Sequence, residues 1–414
     1  MTNNMQKFKD WLTNNMVFLL FTVICLIGIK LSGQPLTLVI DELTGRIVRN
    51  SFLVLSLIIP VIAGMGMNFG IVLGAMAGQI AIITAVNFGL TGFWGFVICI
   101  LMSTPLAILF GYLTGLILNK TKGQEMITSM ILGFFANGLY QFLFLFLVGA
   151  VIPMKNKSMI VSGGVGVKNS LDLDGGLKYA LDGIWKMTLY EVLFYASLLM
   201  IVTGALAISY YYFKHKKLNK KALIYSIVGV VGFVLCQFPN IYTTLSYATV
   251  PMVTMMVTGV LCVFNTLIFK TKLGHDFRIV GQSMQVANAS GIDVNKTRIK
   301  AIILSTVLAA WGQLIFLQNI GTLNTYGSHE QVGMFATAAL LIGGASIIKA
   351  TNSQAIIGVI LFHTLFIVSP TAGQNLFDNA QIGEYFRVFV AYGVICVSLG
   401  LYAWKQLLQR TKDV

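Results

Sequence analysis

An all-α, polytopic membrane protein with about ten transmembrane helices in a single domain is the fold class this sequence predicts. Three observations carry the reading. Of 414 residues, 57% are hydrophobic and only 10% charged, with a mean hydropathy of +0.82, whereas about a quarter of an ordinary soluble domain is charged. Apolar runs meeting or approaching the roughly 20 residues that span a bilayer recur from Met16 to the C-terminus. Lysine and arginine collect in alternate connectors.

In chain order the apolar segments fall near 16–33, 51–65, 66–88, 92–118, 126–152, 188–213, 222–239, 245–269, 301–320, 333–348, 353–369 and 385–405. Several are short or broken by glycine, so 51–65 with 66–88, and 333–348 with 353–369, read as a helix plus a partial helix. The first run, "MVFLLFTVICLIGIKLSG", leads into no small-residue cleavage site and reads as a retained helix. Cys25, Cys99, Cys236, Cys262 and Cys396 all lie in apolar runs without CxxC spacing and read as small buried hydrophobes, not disulfide partners or metal ligands.

Charge sets the orientation, because basic residues accumulate in cytoplasmic loops. With the N-terminus inside, the inner segments hold 19 of the 28 basic residues and five of the 14 acidic ones, and the nine of each left over cancel outside. The whole net charge of +14 is then cytoplasmic, both termini are cytoplasmic, and no nucleic acid need be invoked to explain it. "KHKKLNKK" at 214–221 reads as a stop-transfer segment and lipid-headgroup anchor. The longest outer connector, 153–186, mixes glycine, aspartate and lysine with few large apolar residues, as a solvated extracytoplasmic loop with a short interfacial helix would. A docking surface and a plain connector are both open for it.

No enzyme constellation emerges. His215, His275, His329 and His363 lie on different segments without HExxH or CxxC company, and all four read first as loop or helix-end residues. No catalytic residue and no metal site is assigned. No GxxxxGK[ST] phosphate loop occurs; "LSGQP" at 31–35 and "VSGGVG" at 161–166 flank membrane segments on the outer side and are discounted as nucleotide signatures. An ion-coupled transporter would need ionisable groups buried in the spans, which beyond end-located residues such as Lys30 and Glu191 hold almost none. An intramembrane enzyme would need convergent His, Asp or Ser.

Polar side chains at membrane depth face a path or a neighbouring helix. Asn68, Gln79, Asn137, Gln141, Gln313, Gln318 and Asn319 are the candidates for a substrate path, and their uncharged amides suit a neutral polar solute. The competing reading for each is an ordinary interhelical hydrogen bond. Trp311, beside Gln313, is either a stacking surface or packing.

One polar stretch, "GHDFRIVGQSMQVANASGIDVNKTRIK" at 274–300, interrupts this apolar chain, and the crossings place 270–300 in the cytoplasm between two spans. It reads as a solvent-facing helix-turn-helix. Gly274, Gly281 and Gly291 permit tight turns or close backbone approach, "SMQVANAS" forms a short helix of small side chains, and Arg278 supplies a cationic fork to cap helix carbonyls or bind a partner's carboxylate. Gly281 either takes a backbone angle other residues avoid or lies against a partner's cleft wall.

The run "TKLGHDFRIVGQSMQVANASGIDVNKTRIKAIILSTVLAAWG" resembles a segment of permease subunits in ABC importers of the branched-chain amino acid, simple sugar and nucleoside class, matching it at Gly274, Arg278, Gly281, Ala287, Gly291, Ile292, Ser305 and Ala309. "FATAALLIGGASIIKATNSQAIIGVILFHTLF" resembles a second one through Ala338, Leu340, Gly343, Gly344 and Ser346. The likeness covers 270–369; before it, "GMGMNFGIVLGAMAGQ" is only loosely similar, and Asn68-Phe69-Gly70 keeps the start of a nucleoside-type motif without its acidic residue. The resemblance implies a type II importer permease of a bacterial inner or plasma membrane, paired with an identical or homologous second permease subunit around a central path. Cytoplasmic ABC ATPase subunits, which bind ATP and Mg, would grip Gly274, Arg278, Gly281, Ala287, Gly291 and Ile292. An extracytoplasmic substrate-binding protein would deliver a nucleoside or simple sugar, or else an amino acid or another small metabolite. The chain itself would hold no cofactor.

Overall fold

Lipid offers no partner to a peptide N–H or C=O, so a chain this apolar must satisfy its backbone within helices. The computed structural model describes residues 15–216 and 220–410, and helices dominate them. In order they are α1 Met16–Ser32, α2 Leu36–Ser56, α3 Ile58–Ile62, α4 Ile71–Asn87, α5 Gly92–Lys120, α6 Glu125–Phe142, α7 Leu189–His215, α8 Lys220–Cys236 and α9 Pro239–Ser246. The second half adds α10 Met252–Ile268, α11 Lys272–Gln282, α12 Met284–Ala289, α13 Val294–Ile320, α14 Val332–Ile342, α15 Asn352–Phe377 and α16 Ala380–Arg410. Among the described residues seven helices are long and apolar enough to cross a membrane, and nine if each of two bent pairs, α8 with α9 and α10 with α11, is one span. The expected ten is therefore approximate. The basic and acidic residues Lys7, Lys9, Asp10, Lys217, Lys412 and Asp413 of the charge argument lie outside the described residues.

Two sequence expectations are corrected. The second span is Leu36–Ile62, not 51–65, because its first half carries Asp41, Glu42, Arg46 and Arg49 and so escapes a hydropathy reading. The spans are accordingly richer in ionisable groups than the apolar runs showed. The partial helix α4 follows the turn 63–70 as a separate element of 17 residues. Short α14, followed by Gly343 and Gly344, then α15, agrees with the helix-plus-partial-helix reading at 333–369.

The core is built around α13. Gly74 and Gly78 of α4 present a glycine face to it, and a Cβ at Gly78 would lie 2.6 Å from the Ala310 carbonyl oxygen. Gly111 and Gly115 of α5 do the same against Ile303 and Ile299. Small residues four apart let helix backbones close up, and dispersion then replaces the hydrophobic force that lipid does not supply. By contrast α7 and α8 pack mainly on each other, and only 11% of the apolar window of α7 is buried.

Two ends of the bundle differ. One carries the turn 63–70, the α5–α6 connection and α11–α12. The other carries the 148–188 connector, where β1 Ser170–Asp172 pairs antiparallel with β4 Thr322–Asn324, and β2 Lys186–Thr188 with β3 Thr249–Pro251. The only helical turn described in 153–186 is a 3₁₀ turn at Lys157–Met159.

Candidate functional site

At the end that carries 270–300, α10 turns by 74° into α11, whose start is capped by Thr271. Gly274 sits so close to Ile268 and Phe269 that any side chain would meet their backbone. Gly291, with φ of +75°, closes the turn after α12 in a conformation that favours glycine. Ala287 is fully buried and Ile292 half-buried, in a small cluster with Val280 and Val294. Gln285, Val286, Asn288 and Ala289 stay exposed on α12.

Arg278 is exposed and turns to the Phe269 ring, 5.8 Å from its centroid, so the carbonyl-capping role is not what the structure displays. Gly281 is helical and does not take the special backbone angle that was one of its two expected settings. It presses on its own chain instead: a Cβ there would meet the Ile62 carbonyl oxygen, with the Gly64 nitrogen at 3.0 Å, while a Cβ at Gly64 would lie 2.6 Å from the Gly281 Cα. Two glycine backbones thus join α11 to the turn that leads into α4. Arg298, one of the basic residues assigned to the solvated loop, is wholly buried; its guanidinium donates to Glu125 at 2.6 Å and to the Leu118 carbonyl at 3.3 Å.

At the opposite end, 17-residue α4 and the approach to 11-residue α14 bring polar groups together. Gln79 Nε2 donates to the carbonyls of Asn324 and Thr325 at 3.0 and 2.6 Å, and its Oε1 lies 3.0 Å from Nδ1 of His329. Nε2 of His329 lies 2.8 Å from Oδ1 of Asn137, whose Nδ2 donates to Glu330 at 2.7 Å. Gln141 reaches the same carboxylate oxygen at 3.4 Å, and Gln313 donates to the Ser328 carbonyl at 3.1 Å. Burial alone holds the His329 imidazole down, to about 4. A cleft of about 360 Å³ between α2, α13, α14 and α15, with Asn50, Phe316, Phe335 and His363 among its walls, meets a second of about 270 Å³ beside α6 and α16. Glu330 and Gln331 line both.

Four of the seven substrate-path candidates, Gln79, Asn137, Gln141 and Gln313, therefore gather here. Asn68 does not: it is buried in the turn 63–70 at the other end, accepting from the Gly70 N–H. Gln318 accepts from the Leu181 and Asp182 amides, Asn319 donates to Asp182, and Trp311 donates to Thr104, so these three are tied to neighbouring segments. Sequence reasoning missed His329, Glu330 and His363. The last is buried in the middle of α15, not at a helix end, and its Nδ1 has no partner. Polarity inside an apolar run was the available signal for His363; for His329 it was its place in the polar turn 324–331 between two apolar runs.

The profile of a family described as branched-chain amino acid transport system / permease component matches residues 179–399. An autoinducer 2 import system permease protein of Klebsiella pneumoniae is 34% identical over 99 residues, 24% of this chain and 28% of its own. A xylose transport system permease protein of Haemophilus influenzae is 27% identical over 168 residues, 41% and 42% of the two chains. A nucleoside ABC transporter permease protein of Lactococcus lactis is 28% identical over 148 residues, 36% and 45%. The chain thus spans less than half the length of these curated relatives. No solved structure matches. The profile covers more than half of an all-helical, multi-span chain whose glycine-packed segment 270–300 lies within the match, and the chain belongs to the branched-chain amino acid transport system permease family.

Proposed function

We propose that this chain is the membrane-spanning permease subunit of an ATP-driven importer for a small, neutral, polar solute, a nucleoside or simple sugar before an amino acid or another small metabolite. Separate ABC ATPase subunits hydrolyse ATP on the cytoplasmic side, a second permease subunit completes the path, and an extracytoplasmic protein delivers the solute to the end bearing the 148–188 connector. The observation that carries the reading is the continuous chain of contact from α11, through Gly281 on Gly64, into α4 and so to Gln79 in the polar cluster. A push on α12 at one end is transmitted along one packed element to the clefts at the other, which is how two distant sites become coupled.

Glu330 is exposed, and Asn137 and Gln141 are half-buried, beside the lipid-type surfaces of α6 and α16. Hydrocarbon cannot satisfy such groups, so they require a second subunit or a water-filled path. The larger cleft lies in the usual small-ligand range of about 300–1,000 Å³. The relatives named for xylose, nucleoside and autoinducer 2 transport support a polar solute over an ion-coupled mechanism.

The test is reconstitution. Proteoliposomes holding the permease, its ATPases and its binding protein should accumulate labelled solute only with ATP, and permease alone should not. Uphill uptake driven by an ion gradient without ATPases would overturn the reading.

A further inference from the structure

The orientation of three side chains where the clefts meet fixes the position of a proton. Gln79 Nε2 is committed to two carbonyl oxygens, so the atom 3.0 Å from His329 Nδ1 is an amide oxygen, an acceptor only. Asn137 Nδ2 is committed to the Glu330 carboxylate, so the atom 2.8 Å from His329 Nε2 is again an amide oxygen. Turning Gln79 over would set its oxygen against the carbonyls of Asn324 and Thr325, and turning Asn137 over would set its oxygen against a carboxylate. Both ring nitrogens therefore face acceptors. A neutral imidazole has one N–H and one lone pair, and would aim that lone pair at an amide oxygen.

We infer that His329 is held as an imidazolium, with Glu330 as its counter-ion relayed through Asn137, and that the Glu330 carboxylate is the specificity group for solutes bearing hydroxyl or amino donors. The second half of the inference rests on the clefts being the solute path; the first half stands on the hydrogen bonds alone.

Burial works against this charge and by itself leaves the ring neutral at neutral pH. The groups facing the ring work the other way. Gln79 of α4 and Asn137 of α6 each accept a charge-assisted hydrogen bond, which is about twice as strong as a neutral one. The Tyr140 ring stands 4.6 Å away, centroid to centroid, within the roughly 6 Å over which an aromatic ring attracts a cation. Glu330 supplies the opposite charge beyond Asn137. Deprotonation would strip a buried acceptor of its donor and leave Glu330 without its partner, and on that ground the network outweighs the burial.

Glu330 remains exposed, so its carboxylate is accessible from both clefts. An ionised carboxylate accepts from paired hydroxyls and from amines, and repels anionic solutes.

The experiment uses the full chain in nanodiscs, labelled with nitrogen-15 at histidine. The His329 signals are assigned by their loss in His329→Gln and, independently, by their survival in a variant with the other three histidines replaced. At neutral pH both ring nitrogens should report as protonated, and Glu330→Gln should convert them to the neutral pattern of one protonated and one bare nitrogen. A neutral pattern in the wild type overturns the imidazolium, and an unchanged imidazolium in Glu330→Gln overturns the counter-ion. For the specificity group, the reconstituted importer with Glu330→Gln should take up a hydroxyl-bearing solute about tenfold more slowly, the loss of one charged hydrogen bond, and should lose its discrimination against anionic analogues. Wild-type rate and selectivity in Glu330→Gln overturn that half. Absence of ATP-dependent uptake by the wild-type complex fails the importer reading instead, and the nitrogen signals still decide the protonation of His329.

Discussion

Replacing Gly281 by alanine opposes two effects of known size. Alanine is favoured over glycine inside a helix by up to about 1 kcal/mol. Against this, its Cβ would press on the Ile62 carbonyl oxygen, with the Gly64 nitrogen and Ile62 carbonyl carbon at 3.0 and 3.1 Å. These neighbours are backbone and cannot rotate away, so α11 must retreat by on the order of 1 Å to regain a contact of about 3.5 Å. Overpacking of this kind costs about 1–3 kcal/mol. The net loss of stability is then about 0–2 kcal/mol, small enough for the complex to assemble. The retreat lies on the line between α12 and α4, so coupling should suffer more than stability. Gly281→Ala is expected to assemble, to hydrolyse ATP, and to import less solute per ATP; Gly281→Leu should lose import. Size-exclusion of the complex, ATP hydrolysis and uptake in the same vesicles supply the three numbers. A Gly281→Ala complex that is more stable than wild type and keeps its uptake-to-ATP ratio would refute the reasoning, because helix propensity would have prevailed and the contact would have yielded.

Glu125→Gln should destabilise the protein by about 3–5 kcal/mol, since it leaves the wholly buried Arg298 without its counter-charge; thermal unfolding should show it, and Arg298→Met added to Glu125→Gln should restore part of the loss. Gln318→Leu removes the acceptor of two buried amides at Leu181 and Asp182, at about 1–3 kcal/mol each; hydrogen exchange at 179–184 should accelerate while the rest of the chain does not change. In a cysteine-free background, an impermeant thiol reagent applied to whole cells should label Lys168→Cys and spare Ser290→Cys, and the reverse pattern would overturn the orientation derived from charge.

Local chemistry was legible in the sequence wherever a residue's role depends on its neighbours in the chain. The left-handed turn at Gly291, the close approach at Gly274 and the short helix α12 could all be read from residues a few positions apart. The span Leu36–Ile62 was half hidden, because Arg46 finds Glu42 one turn away and Arg49 finds Asn319 on another helix. The His329 network was illegible for a stronger reason. Its members are separated by 250 and 192 positions, and an isolated histidine or glutamine in an apolar chain looks the same whether it binds a solute or ties two helices. Gly281 shows the same limit: the need for glycine was plain, but its cause is the Ile62 carbonyl, which only the fold brings near.

The glycine faces that grip α13 also bear on biogenesis. A central post held on two sides cannot seat until those sides exist, and synthesis from the N-terminus places α4 and α5 in the membrane before α13 is made. Glu125 precedes Arg298 by 173 positions, so its counter-charge is made only with α13. A single charge thus reports whether the two halves of the chain have met. A chain whose α13 has been made but not seated lacks the Arg298–Glu125 pair, so formation of that buried pair coincides with the closing of the core.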